Sequence, residues 1–187
     1  MSSHVPVIDL APWFSGDEEA RAAVAAEVDG ALRSVGFFLI SGHGVAGELR
    51  ARVRDQARAF FALPPEAKQR YGTVTILDRE PDRGGLQVWT QPDGWEDAPY
   101  QPGAFTINTG DLLARWSGGR WKSNRHRVLP PQAEAPDEDL VSLVYFYEAD
   151  HDAVIESLKP PIGRPNEYAP VVSAQFIKER LDAITLG

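Results

Sequence analysis

The stretch Asn108-Thr-Gly-Asp-Leu-Leu-Ala-Arg-Trp-Ser-Gly-Gly-Arg-Trp-Lys-Ser-Asn-Arg-His-Arg-Val128 carries most of the information in this chain. It begins where a β-like segment, 104–108, runs out, and it ends in a segment, 124–128, that reads as a further strand. Asn108 and Asp111 flank the first strand end, where short polar side chains hydrogen-bond turns. His126 and Arg127 are adjacent, so on a strand their side chains point to opposite faces. Five of the 19 Lys and Arg residues (Arg115, Arg120, Lys122, Arg125 and Arg127) form a local basic patch here.

On the N-terminal side, Val5-Pro-Val-Ile8 reads as extended. Ser15-Gly-Asp-Glu18 has capping-box spacing, with Ser15 as the cap. Val24, Val28, Leu32 and Val35 recur at helical spacing, which predicts a helix over 17–34 that Gly36 ends. Phe37-Phe-Leu-Ile40 then reads as a buried strand and Gly42-His-Gly44 as a turn. A second helix follows, with Val45, Leu49, Val53, Ala57 and Phe60 on one face. Pro64 and Pro65 stop it, and a short third helix is expected over Glu66 to Arg70. After Tyr71 the character changes. Segments 73–77, 85–89, 104–108 and 140–147 are rich in Val, Ile, Thr and aromatics, and turns such as Pro81-Asp-Arg-Gly-Gly85 separate them. Residues 130–139 form an acidic, proline-rich loop, and Phe176, Ile177, Leu181 and Ile184 mark a terminal helix. Helices, then strands, then a helix predict an α+β chain with an antiparallel β-core. The strand count, five or six, falls short of the roughly eight of a complete jelly roll.

With 187 residues the chain suits one globular unit with a sizeable core. A net charge of −8 disfavours nucleic acid or an anionic membrane as partner. There is no cysteine, so disulfides, thiolate metal sites and cysteine nucleophiles are excluded. No apolar run suits a membrane span and the first residues do not read as a secretory signal, so the default location is cytoplasmic.

The chain resembles the Fe(II)/2-oxoglutarate oxygenases of the isopenicillin N synthase-like group. Val5-Pro-Val-Ile-Asp9, Gly36-Phe-Phe38, His43-Gly-Val45 and Phe60-Phe-x-Leu-Pro64 resemble the family's N-terminal region. Gly84-Gly-Leu-Gln-Val88, Pro102-Gly-Ala-Phe105, Asn108-Thr-Gly-Asp-Leu112, His126-Arg-Val128 and Ser142-Leu-Val-Tyr-Phe146 resemble the second half of its catalytic jelly roll. The resemblance implies an N-terminal helical domain over 1–71. Over 72–187 it implies a partial double-stranded β-helix (jelly roll) with a C-terminal helix. It further implies Fe(II) and 2-oxoglutarate as cofactors, a small-molecule substrate oxidised with O2, His126 as the last iron ligand and Ser142 as a cofactor-binding residue.

Two departures qualify the resemblance. The family's His-x-Asp pair stands just before a strand that here is Gly72-Thr-Val-Thr-Ile-Leu77, yet the preceding residues are Lys68-Gln-Arg-Tyr71. Two of three iron ligands are absent, which predicts an internal deletion at Arg70-Tyr71-Gly72. The family's Arg-x-Ser motif reads Leu140-Val-Ser142, so the guanidinium that would grip a carboxylate is missing. Arg127 and Arg115 are the substitutes considered for it.

Asp78, Glu80 and Asp82, with His4, His43 and His151, are the candidate replacement ligands. His43 in its Gly-His-Gly turn reads as structural, and His151 in Glu148-Ala-Asp-His-Asp152 as solvated. Trp89, Trp95, Trp116 and Trp121 read as packing residues, and Asn108, Asp111 and Arg127 as structural. Gly84-Gly85 is too short for a phosphate loop. No catalytic residue is assigned. The expectation is an impaired oxygenase, with a non-catalytic small-molecule or protein-binding module as the alternative. Self-association through exposed sheet edges is also expected.

Overall fold

A computed structural model of the chain describes residues 4–61, 74–80, 85–91, 93–129, 141–165 and 168–185. The predicted third helix at 66–70, the turn at 81–84, the loop at 130–139, Asp82, Leu140 and the expected boundary at 71/72 lie outside the described residues. The elements are β1 (Val7–Asp9), α1 (Ala11–Ser15), α2 (Glu18–Ser34), β2 (Phe37–Ser41), α3 (Gly47–Phe61), β3 (Val74–Asp78), β4 (Gly85–Thr90), β5 (Gly94–Asp97), β6 (Phe105–Thr109), α4 (Asp111–Trp116), β7 (His126–Leu129), β8 (Leu143–Tyr147), β9 (Val154–Ile155), β10 (Val171–Val172) and α5 (Ser173–Thr185). The α+β class is as predicted, but the described residues hold ten strands rather than five or six. The additional strands include β5, whose Gly94-Trp-Glu-Asp97 has little β-propensity, and the two-residue β9 and β10.

Five strands form one sheet in the order β1-β2-β6-β3-β8, with β1 and β2 parallel and the other pairs antiparallel. A second sheet has the order β5-β4-β7, and β9 pairs with β10. Both faces of β2 are covered, which is why Phe37-Phe-Leu-Ile40 is a continuous apolar run and not an alternating one. On one face, Phe38 and Ile107 pack against Val24, Ala31 and Leu32 of α2. On the other, Phe37 and Leu39 meet Leu86 and Val88 of the second sheet. Full burial of each such side chain contributes about 1.5–3 kcal/mol.

The cap of α2 is Asp17, not Ser15. Its carboxylate accepts a 3.0 Å bond from the Ala20 amide, while the Ser15 hydroxyl donates to the Ala11 carbonyl inside α1. Pro12 starts that extra short helix, and the turn it forms takes Ser15 out of the capping position. Gly36 ends α2 at φ 77°. A Cβ there would stand 2.1 Å from the Lys122 carbonyl oxygen, so only glycine fits this junction.

Of the expected apolar face of α3, the described side chains Val45, Leu49 and Val53 are exposed rather than in the core. The helix instead docks through Arg50 and Arg54 on buried Asp78 at the end of β3. Arg50 Nε donates to Oδ2 at 3.1 Å. Arg54 Nη2 lies 2.6 Å from Oδ1, a charge contact without the alignment of a hydrogen bond. The side chains of Ala57, Phe60, Leu181 and Ile184 lie outside the described ones; Phe176 of α5 is buried with Leu112 and Ile155. Among the described residues no helix is long and apolar enough to cross a membrane.

Candidate functional site

A cleft of about 390 Å³ opens between the two sheets. Strand register builds its floor. Phe37 pairs with Asn108, Asn108 with Thr75, and Thr75 with Phe146, so four strands contribute one residue each to a single row, and all four line the cleft. In the next row Leu77 pairs with Val144, and both line it too. The facing wall carries His126, Leu86 and Val128, set by the Val88–His126 and Leu86–Val128 pairs. Phe176, Ile177 and Arg180 of α5, with Thr109 to Leu112 at the junction of β6 and α4 and Ser123 before β7, complete the lining.

His126 sits in this wall with its ring edge-to-face on Phe37, centroids 5.2 Å apart. Its Nδ1 lies 3.3 Å from the Asn124 carbonyl oxygen. Nε2 has no partner among the described residues, which leaves it available to a metal. Arg127, its neighbour, takes the opposite face as alternation requires. It donates to Gln87 Oε1 at 2.9 and 2.7 Å and lies over the Trp95 ring. Asn108 and Asp111 do not bond turns through their side chains as expected. Asn108 is buried on the cleft floor with no amide partner among the described residues, and Asp111 faces Arg180 with Nε 3.4 Å from Oδ2.

The described residues do not make a 2-His-1-carboxylate set. Among the described residues one group of three metal-competent side chains comes together: His4, Asp93 and Glu96. None of the three lines the cleft, so the group cannot complete a site around His126. His43 has both ring nitrogens engaged, with Nε2 2.7 Å from the Gly103 carbonyl and Nδ1 accepting from the Val45 amide, and it stacks on Phe105. Asp78 is held by Arg50 and Arg54, and Glu80 accepts from the Val141 amide. Each of these is a structural partner rather than a replacement ligand.

Ser142 stands two residues before Val144, outside β8, half-buried and not among the cleft-lining residues. Arg115 is likewise absent from the lining. It lies over Tyr168 and Phe176 and donates to the Ala169 carbonyl. The arginines of the basic patch are spent on such internal contacts, since Arg120 grips Asp29 with two 2.9 Å bonds and Arg125 covers Trp89. The four tryptophans stay outside the cleft. Sequence reasoning did not single out Arg180, although it lies three and four residues after Ile177 and Phe176 and so shares their helix face.

A sandwich-like pair of sheets with a histidine in the cleft between them defines a class, and comparison with known proteins names it. A family model for the 2OG-Fe(II) oxygenase superfamily matches residues 53–149, and one for the non-haem dioxygenase in morphine synthesis N-terminal matches residues 5–94. The chain belongs to the 2OG-Fe(II) oxygenase superfamily, as the sequence resemblance indicated. The family's cofactors are Fe(II) and 2-oxoglutarate. Validamycin A dioxygenase of Streptomyces hygroscopicus subsp. limoneus is 28% identical over 298 aligned positions, covering 87% of this chain and 82% of the relative. Homoarginine-6-hydroxylase 2-ODD-C23 of Glycine max is 38% identical over 96 residues, 51% of this chain but only 28% of the relative. Among solved structures, the dioxygenase for auxin oxidation in rice matches with a TM-score of 0.73 at 18% identity, covering 96% of this chain and 95% of that one. A putative 2OG-Fe(II) oxygenase family protein of Caulobacter crescentus matches with a TM-score of 0.78 at 14% identity, over 97% and 100% of the two chains. These structural likenesses concern the fold.

Proposed function

We propose that this chain is a catalytically impaired oxygenase of the 2OG-Fe(II) superfamily that keeps a small-molecule cleft. The two facing sheets are read as a partial double-stranded β-helix, His126 as the surviving iron-ligand position and Ser142 as a relic of the carboxylate-binding motif. With Fe(II) and 2-oxoglutarate bound, the family couples O2 to oxidation of a small organic substrate. Here the chain's own residues shape a largely apolar cleft and present one imidazole to it. The observation that carries the reading is His126: it occupies the cleft wall with its Nε2 uncommitted, yet no second histidine or carboxylate completes a triad with it among the described residues. A deletion at Arg70-Tyr71-Gly72 accounts for the missing ligands, and a 298-position alignment against a chain of 187 residues supports it.

Anaerobic titration with Fe(II), followed by elemental analysis, tests this. The expected result is weak, substoichiometric iron that His126→Ala reduces further. One tightly held iron per chain would overturn the impairment. The second reading is a binding module without chemistry. It is favoured by the same incomplete ligand set, and it predicts ligand binding in the cleft that is indifferent to iron.

A further inference from the structure

We infer that the cleft takes a small apolar molecule bearing a carboxylate, and that Arg180 is the residue that grips that carboxylate. This rests on the cleft reading above. Among the described residues, Arg180 is the one cation in the lining. Most of the other lining side chains are apolar, including Phe37, Leu77, Val144, Phe146 and Phe176, so the cleft selects for an apolar body. Position on α5 puts Arg180 in the cleft lining, half exposed, with its guanidinium 5.2 Å from the Phe176 ring centroid.

The commitments of the cations explain why Arg180 is the available one. Arg127 is bonded to Gln87, Arg120 to Asp29, and Arg115 to a backbone carbonyl. Among the described residues the one ion pair of Arg180 is with Asp111, with Nε 3.4 Å from Oδ2 and both side chains about half exposed. That separation is too long for a good charge-assisted hydrogen bond, and exposed pairs of this kind are readily exchanged. The Nη donors of Arg180 have no partner among the described residues. A planar fork of donors facing an apolar cleft matches a carboxylate in two parallel bonds. In the same cleft, the buried Asn108 amide, without a side-chain partner among the described residues, offers a donor and an acceptor to a polar group at the other end of the molecule.

The apolar lining favours a substrate carboxylate over the distal end of 2-oxoglutarate, a polar dicarboxylate whose usual arginine position is Leu140 here. Calorimetry on the metal-free full chain separates them. The probes are 3-phenylpropionate, its primary amide, and 2-oxoglutarate. The expected result is that an acid probe binds and that 3-phenylpropionate exceeds its amide by about tenfold or more. That preference should collapse in Arg180→Ala and Arg180→Gln and persist in Arg127→Ala. Phenylpropionate is expected to bind more tightly than 2-oxoglutarate in an Arg180-dependent way; tighter Arg180-dependent binding of 2-oxoglutarate would assign the carboxylate to the cosubstrate and overturn the inference of an apolar ligand. Equal binding of acid and amide, unchanged preference in both Arg180 variants, or no binding of either acid would overturn the inference. Iron stoichiometry is read separately, so failure here leaves the His126 result intact.

Discussion

The rings of Phe37 and His126 meet edge to face, with centroids 5.2 Å apart and planes inclined at 66°. Phe37 comes from β2, inside the five-stranded sheet, and His126 from β7, at the edge of the other sheet. One contact therefore joins the two walls of the cleft and sets how far the imidazole stands from the Asn108–Thr75 row.

Phe37→Ala should lower stability by about 3–5 kcal/mol, the usual cost of an aromatic-to-alanine truncation in a core. Phe37 is fully buried, at 1% exposure, so the cavity cannot simply fill with solvent side chains. The histidine should lose its fixed orientation as well. Chemical denaturation measures the first effect, and the ring-nitrogen signals of His126 the second. A stability loss below about 1 kcal/mol would show that the sheets do not pack as described.

Local pattern makes some of this legible and hides the rest. Alternation correctly separates His126, in the cleft, from Arg127, on the outer face. The apolar run at Phe37 to Ile40 correctly marks a central strand. The place of Asn108 escapes a local reading because it depends on register with Phe37 and Thr75, residues distant in sequence. The apolar stripe of α3 misleads for a similar reason: Asp78 pulls Arg50 and Arg54 inward and turns Leu49 and Val53 to solvent. No short window contains both halves of that contact.

Asp78 supplies the next prediction. It is a buried carboxylate whose two arginine partners are themselves nearly buried, with side chains 13% and 12% exposed. Asp78→Ala leaves both cations without their counter-charge, which costs on the order of 3–5 kcal/mol. Amide exchange should show α3 losing protection before the sheets do. A matching Asp78→Leu, Arg50→Met, Arg54→Met triple variant should recover most of the loss. If the single substitution is neutral by denaturation, α3 is held by something else.

Asp29 ties α2 to the stretch between α4 and β7, accepting from Arg120, from Trp121 Nε1 at 3.0 Å and pairing with Arg33. The Arg120 bonds hold its carboxyl below the usual carboxylate range, with burial opposing. A depressed folded pKa means the unfolded chain binds the proton more readily. The stabilisation is therefore fully present above about pH 4, the ordinary Asp value, and is lost as pH falls through the lower folded value. Asp29→Asn should lower Tm by a few degrees at pH 7, and the gap to the parent should close as pH drops below about 4. Thermal melts from strongly acidic conditions, well below about pH 4, up to neutral pH check it, and a gap that widens on acidification would contradict the assignment.

The free flank of β8 carries the last prediction. Among the described residues β8 pairs only with β3, leaving its other edge unpaired. Its sequence is Leu143-Val-Tyr-Phe-Tyr147, with Val144, Tyr145 and Tyr147 all exposed. An edge strand that is apolar, uncharged and free of proline templates pairing with another chain. The parent should therefore show a mass that rises with concentration above the 20.6 kDa of one chain when followed by light scattering. Tyr145→Lys places a charge on the exposed face of that edge and should return the protein toward monomer, with little change in thermal stability because Tyr145 is not part of the core. A parent that stays monodisperse at one chain's mass over a hundredfold range of concentration would show that the edge is already covered. If the parent associates and the lysine variant associates equally, the contact lies elsewhere, and the exposed Leu49–Val53 face of α3 becomes the surface to mutate next.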